Sequence, residues 1–128
     1  MVFAYVGTIG PVYLIEEDGK FHLGPNTARI TVNKEVSPAF ALCYFKSSYI
    51  KDEIIEHTSI GAQPSLSMTK IRNFKIHFPS SKAEQTRIAT ILSDMDDEIS
   101  VLETKLFKYK QIKQGMMQEL LSGRIRLI

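Results

Sequence analysis

The clearest hydrophobic pattern in this chain runs through its C-terminal third. Apolar residues recur there at alternating steps of four and three, and an average step of 3.5 residues is typical of a coiled-coil seam. The seam consists of Ile88, Leu92, Met95, Ile99, Leu102, Leu106, Tyr109, Met116 and Leu120. Lys113 is the polar residue in this series. The spacing predicts one long helix with an apolar face.

Local signals predict where this helix begins and ends. Ser81 and Glu84 have the spacing of a capping box, and Gly123 is placed to act as a C-terminal cap. A helix of nearly forty residues is roughly 55–60 Å long at 1.5 Å per residue. A domain of about eighty residues offers too short a surface to bury such a stripe. The pattern therefore predicts an intermolecular partner helix, although packing within one core is the ordinary alternative for apolar residues at helical spacing.

Short strands are predicted around a glycine-rich turn near the N-terminus. Residues 2–6 and 12–15 are rich in β-branched and aromatic side chains, and Gly7-Thr8-Ile9-Gly10-Pro11 separates them. An Asp18-Gly19 pair then marks a second turn. Residues 29–32 are rich in β-branched side chains, which predicts another strand.

Helix and strand signals alternate in the following stretch. Ser37 before Pro38 predicts a helix start, and residues 49–57 predict a second helix. Residues 61–67 form a predicted loop whose last residue, Ser67, can cap a short turn. Residues 74–78 alternate apolar and polar positions, which predicts a strand with Lys75 and His77 on its polar side.

Composition narrows the class of protein. The chain has 128 residues, of which 44% are hydrophobic, so a packed core is expected. A single cysteine excludes an intrachain disulfide framework and suits a reducing cytoplasm. No apolar run approaches the roughly 18 residues of a membrane span. The first segment lacks the basic start of a signal peptide, so we expect a cytoplasmic protein without membrane contact.

Charge is distributed unevenly although the net charge is only +2. Residues 19–34 and residues 57–83 contain no Asp or Glu, and both windows carry Lys or Arg. Either window can present a positive surface to phosphates, and an ordinary solvated face is the alternative.

Several side chains in the second window have DNA-binding chemistry. Lys70, Arg72 and Lys75 are candidates for phosphate contacts, which position a protein on DNA. Arg72, Asn73 and Gln63 are also suited to bidentate contacts with base edges. We find no nucleotide-binding, nucleophile or metal-ligand motif, and Asp94, Asp96, Asp97 and Glu98 spread over the outer face of the predicted helix. The sequence predicts neither an enzyme nor a cofactor.

Four motifs together resemble the specificity subunit of type I restriction-modification systems. Phe78-Pro79 leads into Glu84-Gln85-Thr86-Arg87-Ile88-Ala89, which is similar to that family's long helix. The end of this chain resembles the motif that closes sequences of the family; it reads Leu120-Leu121-Ser122-Gly123-Arg124-Ile125-Arg126-Leu127. Gly7-Thr8-Ile9-Gly10 and Gly61-Ala62-Gln63-Pro64-Ser65-Leu66-Ser67 match two upstream segments. The motifs occur in order over nearly the whole chain.

The resemblance implies an α+β fold: part of a DNA target-recognition domain over residues 1–80, then a spacer helix and tail over residues 81–128. In the family two such helices pair antiparallel, and methyltransferase and restriction subunits join them on double-stranded DNA. The family also has more recognition-domain sequence before the glycine turn, so we expect a half specificity subunit that pairs with a second half. The alternative is a dimeric scaffold that docks on methyltransferase subunits without binding DNA.

Overall fold

A computed structural model describes residues 1–15, 17, 19–20, 22–58 and 64–127. The fold is mixed α+β, as predicted: a small antiparallel sheet, three short helices and one long C-terminal helix. The chain divides into two compact units, residues 1–91 and residues 92–128. The sheet, the short helices and the first turns of the long helix belong to the first unit.

The sheet has three strands in the order β2-β1-β3: β1 Val2–Ala4, β2 Val12–Tyr13 and β3 Thr27–Arg29. Phe3 lies opposite Val12 on one side and Ala28 on the other. The predicted glycine turn joins β1 to β2, with Gly7 and Gly10 at φ values of 77° and 113°. These backbone conformations favour glycine, so the two glycines serve the turn geometry.

The strands predicted over residues 2–6 and 12–15 are shorter than predicted and end at Ala4 and Tyr13, and two further strand predictions need correction. The strand predicted over residues 29–32 lies earlier, because the backbone pairing with β1 falls on residues 27–29, although Ile30 still donates to the Met1 carbonyl at 2.9 Å. Residues 74–78 form no strand. Their burial alternates as predicted, with Lys75 and His77 exposed, but this segment packs through its side chains instead of joining a backbone ladder.

The short helices are α1 Pro38–Lys46, α2 Ser48–His57 and α3 Met68–Arg72. Helices α1 and α3 begin where the sequence predicted, and α2 begins one residue before the predicted residue 49. Ser67 caps α3, because its hydroxyl accepts from the Lys70 amide at 3.3 Å. Ser37 occupies the N-cap of α1, but its side chain makes no cap bond. Its amide instead donates to a side chain on the long helix.

The core of the first unit consists of two apolar clusters. The larger contains Phe3, Val12, Phe45, Ile50, Ile54, Leu66 and Ile71, and joins the sheet to the three short helices. The smaller contains Val36, Phe40, Ala41 and Ala89, and packs α1 against the start of the long helix.

The long helix, α4, covers Lys82–Leu121 and confirms the predicted ends. The Ser81 hydroxyl lies 3.4 Å from the Glu84 amide, which is one half of the predicted capping box. Beyond the other end, Gly123 has a φ of 72°, and its amide donates to the Leu120 carbonyl at 3.2 Å. A left-handed residue after the last turn is a common way to end a helix.

Candidate nucleic-acid interface

A cleft of about 510 Å³ opens in the first unit between the segment that begins with β3 and the segment around α3. We call it the basic cleft. Its lining is partly apolar, with Phe45, Ile71 and Val36 drawn from the two core clusters. The full lining is Ala28, Arg29, Ile30, Thr31, Val32, Asn33, Val36, Phe45, Met68, Ile71, Arg72, Phe74, Ile76 and Phe78.

Two arginines from distant parts of the sequence meet at the basic cleft. Arg29 is the last residue of β3, and Arg72 is the last residue of α3. Both side chains are exposed, and none of the described residues that line the cleft carries a carboxylate, although Arg29 also lines a second pocket with Glu17. Each arginine comes from one of the two acid-free windows, so the fold combines the two windows on one surface. A guanidinium can bind a phosphate or a guanine edge through two parallel hydrogen bonds.

Asn33 adds a hydrogen-bond donor to the same cleft. Its side-chain oxygen accepts from the backbone amides of Glu35 at 3.0 Å and Val36 at 3.2 Å. Because those bonds occupy the oxygen, the amide NH₂ is the part of the side chain free to contact a ligand. Asn33 is therefore suited to a phosphate or another acceptor, and less suited to the paired donor and acceptor of an adenine edge.

Three other predicted DNA-binding residues, Lys70, Asn73 and Lys75, are exposed but do not line the basic cleft. Lys70 faces α2, where its Nζ lies 3.5 Å from His57 Nδ1. His57 in turn lies 3.5 Å from a carboxylate oxygen of Glu53. Asn73 follows the end of α3, and Lys75 lies on the exposed side of the next segment. The structure thus places Arg72 in the lining of the cleft and Lys70, Asn73 and Lys75 outside that lining.

Gln63, the remaining candidate, lies outside the described residues. The residues that sequence analysis missed at this surface are Arg29 and Asn33. Arg29 belongs to the first acid-free window of the sequence. Nothing in the sequence indicated that residues of this window and of the second window would line the same cleft. Asn33 carried no signal beyond its amide chemistry.

The predicted seam of α4 is exposed over most of its length. Leu92, Met95, Ile99, Leu102, Leu106, Tyr109 and Met116 each leave between 43% and 59% of their surface exposed. Ile88 differs, because it packs against the smaller core cluster of the first unit. Near the other end the apolar face widens, and Ile112, Met117 and Leu121 join the seam residues around a shallow hollow. The second unit thus presents a large apolar face, and faces of this kind usually mark an interaction surface.

Charge on α4 is separated along the helix. Residues 88–104 contain five acidic residues and no Lys or Arg, whereas residues 105–118 contain four lysines and no Asp or Glu. Charges beside a coiled-coil seam determine the choice and direction of the partner helix. Residues 88–104 are thus acidic and residues 105–118 are basic.

Among the described residues, no group of His, Cys, Asp and Glu has an arrangement that could hold a metal ion. In the same part of the chain, no helix is long and apolar enough to cross a membrane.

The basic cleft of the first unit and the exposed apolar face of α4 are thus two candidate interaction surfaces. Comparison with known proteins identifies the family. The model of the type I restriction modification DNA specificity domain matches residues 1–114, and the chain belongs to that family. The family resemblance inferred from the sequence motifs is therefore confirmed.

One curated relative is a putative type I restriction enzyme MjaX specificity subunit from Methanocaldococcus jannaschii. It is 29% identical over 126 residues, which cover 94% of this chain and 29% of the relative. The chain thus spans less than a third of the length of that relative. No solved structure matches the chain.

Proposed function

We propose that this chain recognises DNA as a non-catalytic half of a type I specificity subunit. Residues 1–80 form part of a target-recognition domain, and residues 81–128 form the spacer helix and tail. The chain binds double-stranded DNA in the cytoplasm and scaffolds methyltransferase and restriction subunits. Catalysis belongs to those subunits, and this chain supplies the sequence preference.

The observation that carries the DNA-binding role is the basic cleft in a chain of this family. Arg29 and Arg72 line one cleft whose described lining residues include no carboxylate, and Asn33 adds a donor to the same lining. Positive charge of this kind attracts the phosphate backbone, and guanidinium groups can also read base edges. Lys70, Asn73, Lys75 and Gln63 remain proposed DNA contacts on the strength of their side-chain chemistry.

A second copy is the proposed partner of α4. The face is apolar over several heptads, so burying it against another helix removes exposed hydrocarbon from water. In an antiparallel pair the acidic half of one helix lies beside the lysine-rich half of the other. A parallel pair of copies places like charges side by side. Two copies related by a two-fold axis present two equal recognition domains, which suits a symmetric split DNA site.

The test uses the full chain in complex with its methyltransferase subunit. Duplexes selected from a random library by this complex should share a split motif, and binding should weaken steeply as salt rises. The double substitution Arg29→Glu and Arg72→Glu should weaken binding by roughly 100-fold or more, since each arginine contact contributes about 1–3 kcal/mol. Lys51→Glu is the control. It reverses one exposed charge on α2, outside the basic cleft, and should leave DNA binding nearly unchanged.

The dimeric scaffold is the alternative that this experiment separates. A scaffold forms the same complex with the methyltransferase subunit but selects no duplex, and the arginine substitutions leave its affinity for nucleic acid unchanged. The exposed apolar face of α4 fits either function, so DNA selection decides between them. A complex that binds every duplex equally, with or without the two arginines, contradicts the proposed recognition role.

A further inference from the structure

One wall of the basic cleft is the open edge of the sheet, because β3 pairs with β1 on one side and is the last described strand on the other. The Ile30 amide donates to the Met1 carbonyl at 2.9 Å, and the Met1 amino group donates to the Ile30 carbonyl at 3.0 Å. In an antiparallel pair, the residues next to such a doubly bonded pair direct their backbone groups away from the partner strand. Arg29 and Thr31 therefore present their amides and carbonyls at the open edge.

The opposite wall of the basic cleft also has backbone groups without partners. Residues 74–78 alternate half-buried and exposed side chains, as residues 28–33 do along the first wall. Within the part of the chain that the structure describes, the amides of Thr31 and of residues 75–78 donate no hydrogen bond. The cleft thus separates two segments that have the alternation of strands but no ladder between them.

Apolar side chains from both walls cover the space between these segments. The half-buried ones are Ile30, Val32, Phe74, Ile76 and Phe78. Unpaired backbone beside exposed hydrocarbon is the arrangement to which an added strand binds, since it completes hydrogen bonds and removes apolar surface from water. Residues 28–33 are roughly 20 Å long at about 3.3 Å per residue, which is the length of an ordinary strand.

The charge of the lining indicates the chemistry of a matching strand. Arg29 and Arg72 are exposed in the cleft, and none of the described residues that line it carries a carboxylate. A guanidinium binds a carboxylate through two parallel hydrogen bonds. A segment that carries carboxylates beside its apolar side chains therefore complements this cleft better than a neutral or basic segment.

We propose that the basic cleft is a strand-acceptor site: an extended segment of a partner protein, with apolar side chains at alternate positions and at least one carboxylate, pairs with the open edge of β3 and covers the apolar lining. The site lies entirely within the first unit, and strand pairing does not depend on the proposed DNA recognition. Because the segment and DNA use the same two arginines, binding of one should exclude the other.

The first measurement selects ligands for the full-length chain from a displayed library of random peptides of about ten residues. The selected peptides should alternate apolar residues and carry Asp or Glu. The tightest peptide is then synthesised with every second backbone amide methylated, in both possible registers, which keeps its side chains and removes its donors. In at least one register the methyl groups should weaken binding roughly tenfold or more, because several hydrogen bonds are lost together. A library that yields no such peptide, or a peptide insensitive to methylation in both registers, overturns the proposal.

Amide hydrogen exchange locates the bound peptide. In the free chain the amides of Arg29 and Thr31 should exchange fast and those of Ala28 and Ile30 slowly, because the latter two face β1. The peptide should slow exchange at Arg29 and Thr31. A peptide that slows exchange only elsewhere on the chain contradicts the assigned edge.

A matched pair of variants tests the edge from the side of the protein. Thr31→Pro removes one edge donor at a position where a strand tolerates proline, and should weaken the peptide roughly tenfold. Thr31→Val keeps the amide and should bind within about twofold of the unaltered chain. Equal affinities of the two variants contradict strand pairing. If circular dichroism shows that Thr31→Pro does not fold, the methylated peptides decide with the unaltered chain.

Competition relates the site to the proposed function. A duplex selected by the complex of this chain with its methyltransferase subunit should be displaced by the peptide, and simultaneous binding of both contradicts the shared use of Arg29 and Arg72. A complex that selects no duplex contradicts the proposed function instead. Peptide methylation and hydrogen exchange still decide the strand-acceptor site in that case, since neither measurement involves DNA.

Discussion

The two units of this chain use apolar residues in opposite ways. In residues 1–91 the large side chains Phe3, Ile50 and Leu66 are almost completely buried. In residues 92–128 the described apolar side chains remain largely exposed, and Phe107 leaves 62% of its surface accessible. The first unit therefore gains its stability from burial within one chain. The second unit is a helix whose apolar face stays exposed to solvent, so any stabilisation from burying that face requires another surface.

Replacing a phenylalanine in each unit should produce the largest difference in the free energy of unfolding. Phe3→Ala removes a ring packed edge-on against Phe45 at 5.9 Å and should lower the free energy of unfolding by about 3–5 kcal/mol. Phe107→Ala removes an exposed ring outside the seam and should change it by less than about 0.5 kcal/mol. Chemical denaturation of both variants measures the difference. Equal losses contradict the division into a buried core and an exposed helix.

The proposed pairing is broken most directly at the centre of the seam. Leu102→Asp places a carboxylate in each copy where the partner helix packs, and should weaken self-association by about 3 kcal/mol, or roughly 100-fold in Kd. Thr104→Asp is the matched control, since it adds the same charge two residues away on the outer face. Sedimentation equilibrium measures both constants. The pairing hypothesis fails if the two variants associate equally well.

Gln85 tests the contact between α4 and the first unit. Its buried side chain accepts from the Ser37 amide and donates to the carbonyls of Glu35 and Pro79. Gln85→Met leaves three buried backbone groups without their partner and should lower the free energy of unfolding by about 2–3 kcal/mol, since each unsatisfied group costs about 1–3 kcal/mol and partial hydration offsets some of that loss. Gln111→Met, on the exposed part of the same helix, should change stability by less than about 0.5 kcal/mol. Thermal unfolding followed by circular dichroism compares the two. A stability loss shared by both variants points to helix propensity instead of the buried bonds.

The smallest expected effect lies at the C-terminal end of α4. Gly123→Ala places a Cβ at a φ of 72° and should cost about 1 kcal/mol locally, although nothing lies within 4 Å of the added carbon. Amide hydrogen exchange of residues 118–123 should quicken while that of the first unit is unchanged. Protection that is unaltered in the last turn contradicts the role of this glycine as a cap.

The sequence by itself determined the features that depend on neighbouring residues. Ser67 and Ser81 marked helix starts and Gly123 marked a helix end, because capping involves backbone groups only a few residues away. The heptad spacing predicted the apolar face of α4 for the same reason, since helical geometry fixes which positions share a face. The family motifs added the specificity-domain assignment, which the family comparison confirmed.

Only the tertiary structure decided which distant segments meet. It placed β3 on residues 27–29, left residues 74–78 outside the sheet, and brought Arg29 to the same cleft as Arg72. It also buried Gln85 against backbone groups up to 50 residues away. Local propensity does not contain this information, because pairing across long sequence separations depends on how the whole core packs. The sequence thus specified the elements of this protein, and long-range packing specified the surface on which its proposed DNA contacts converge.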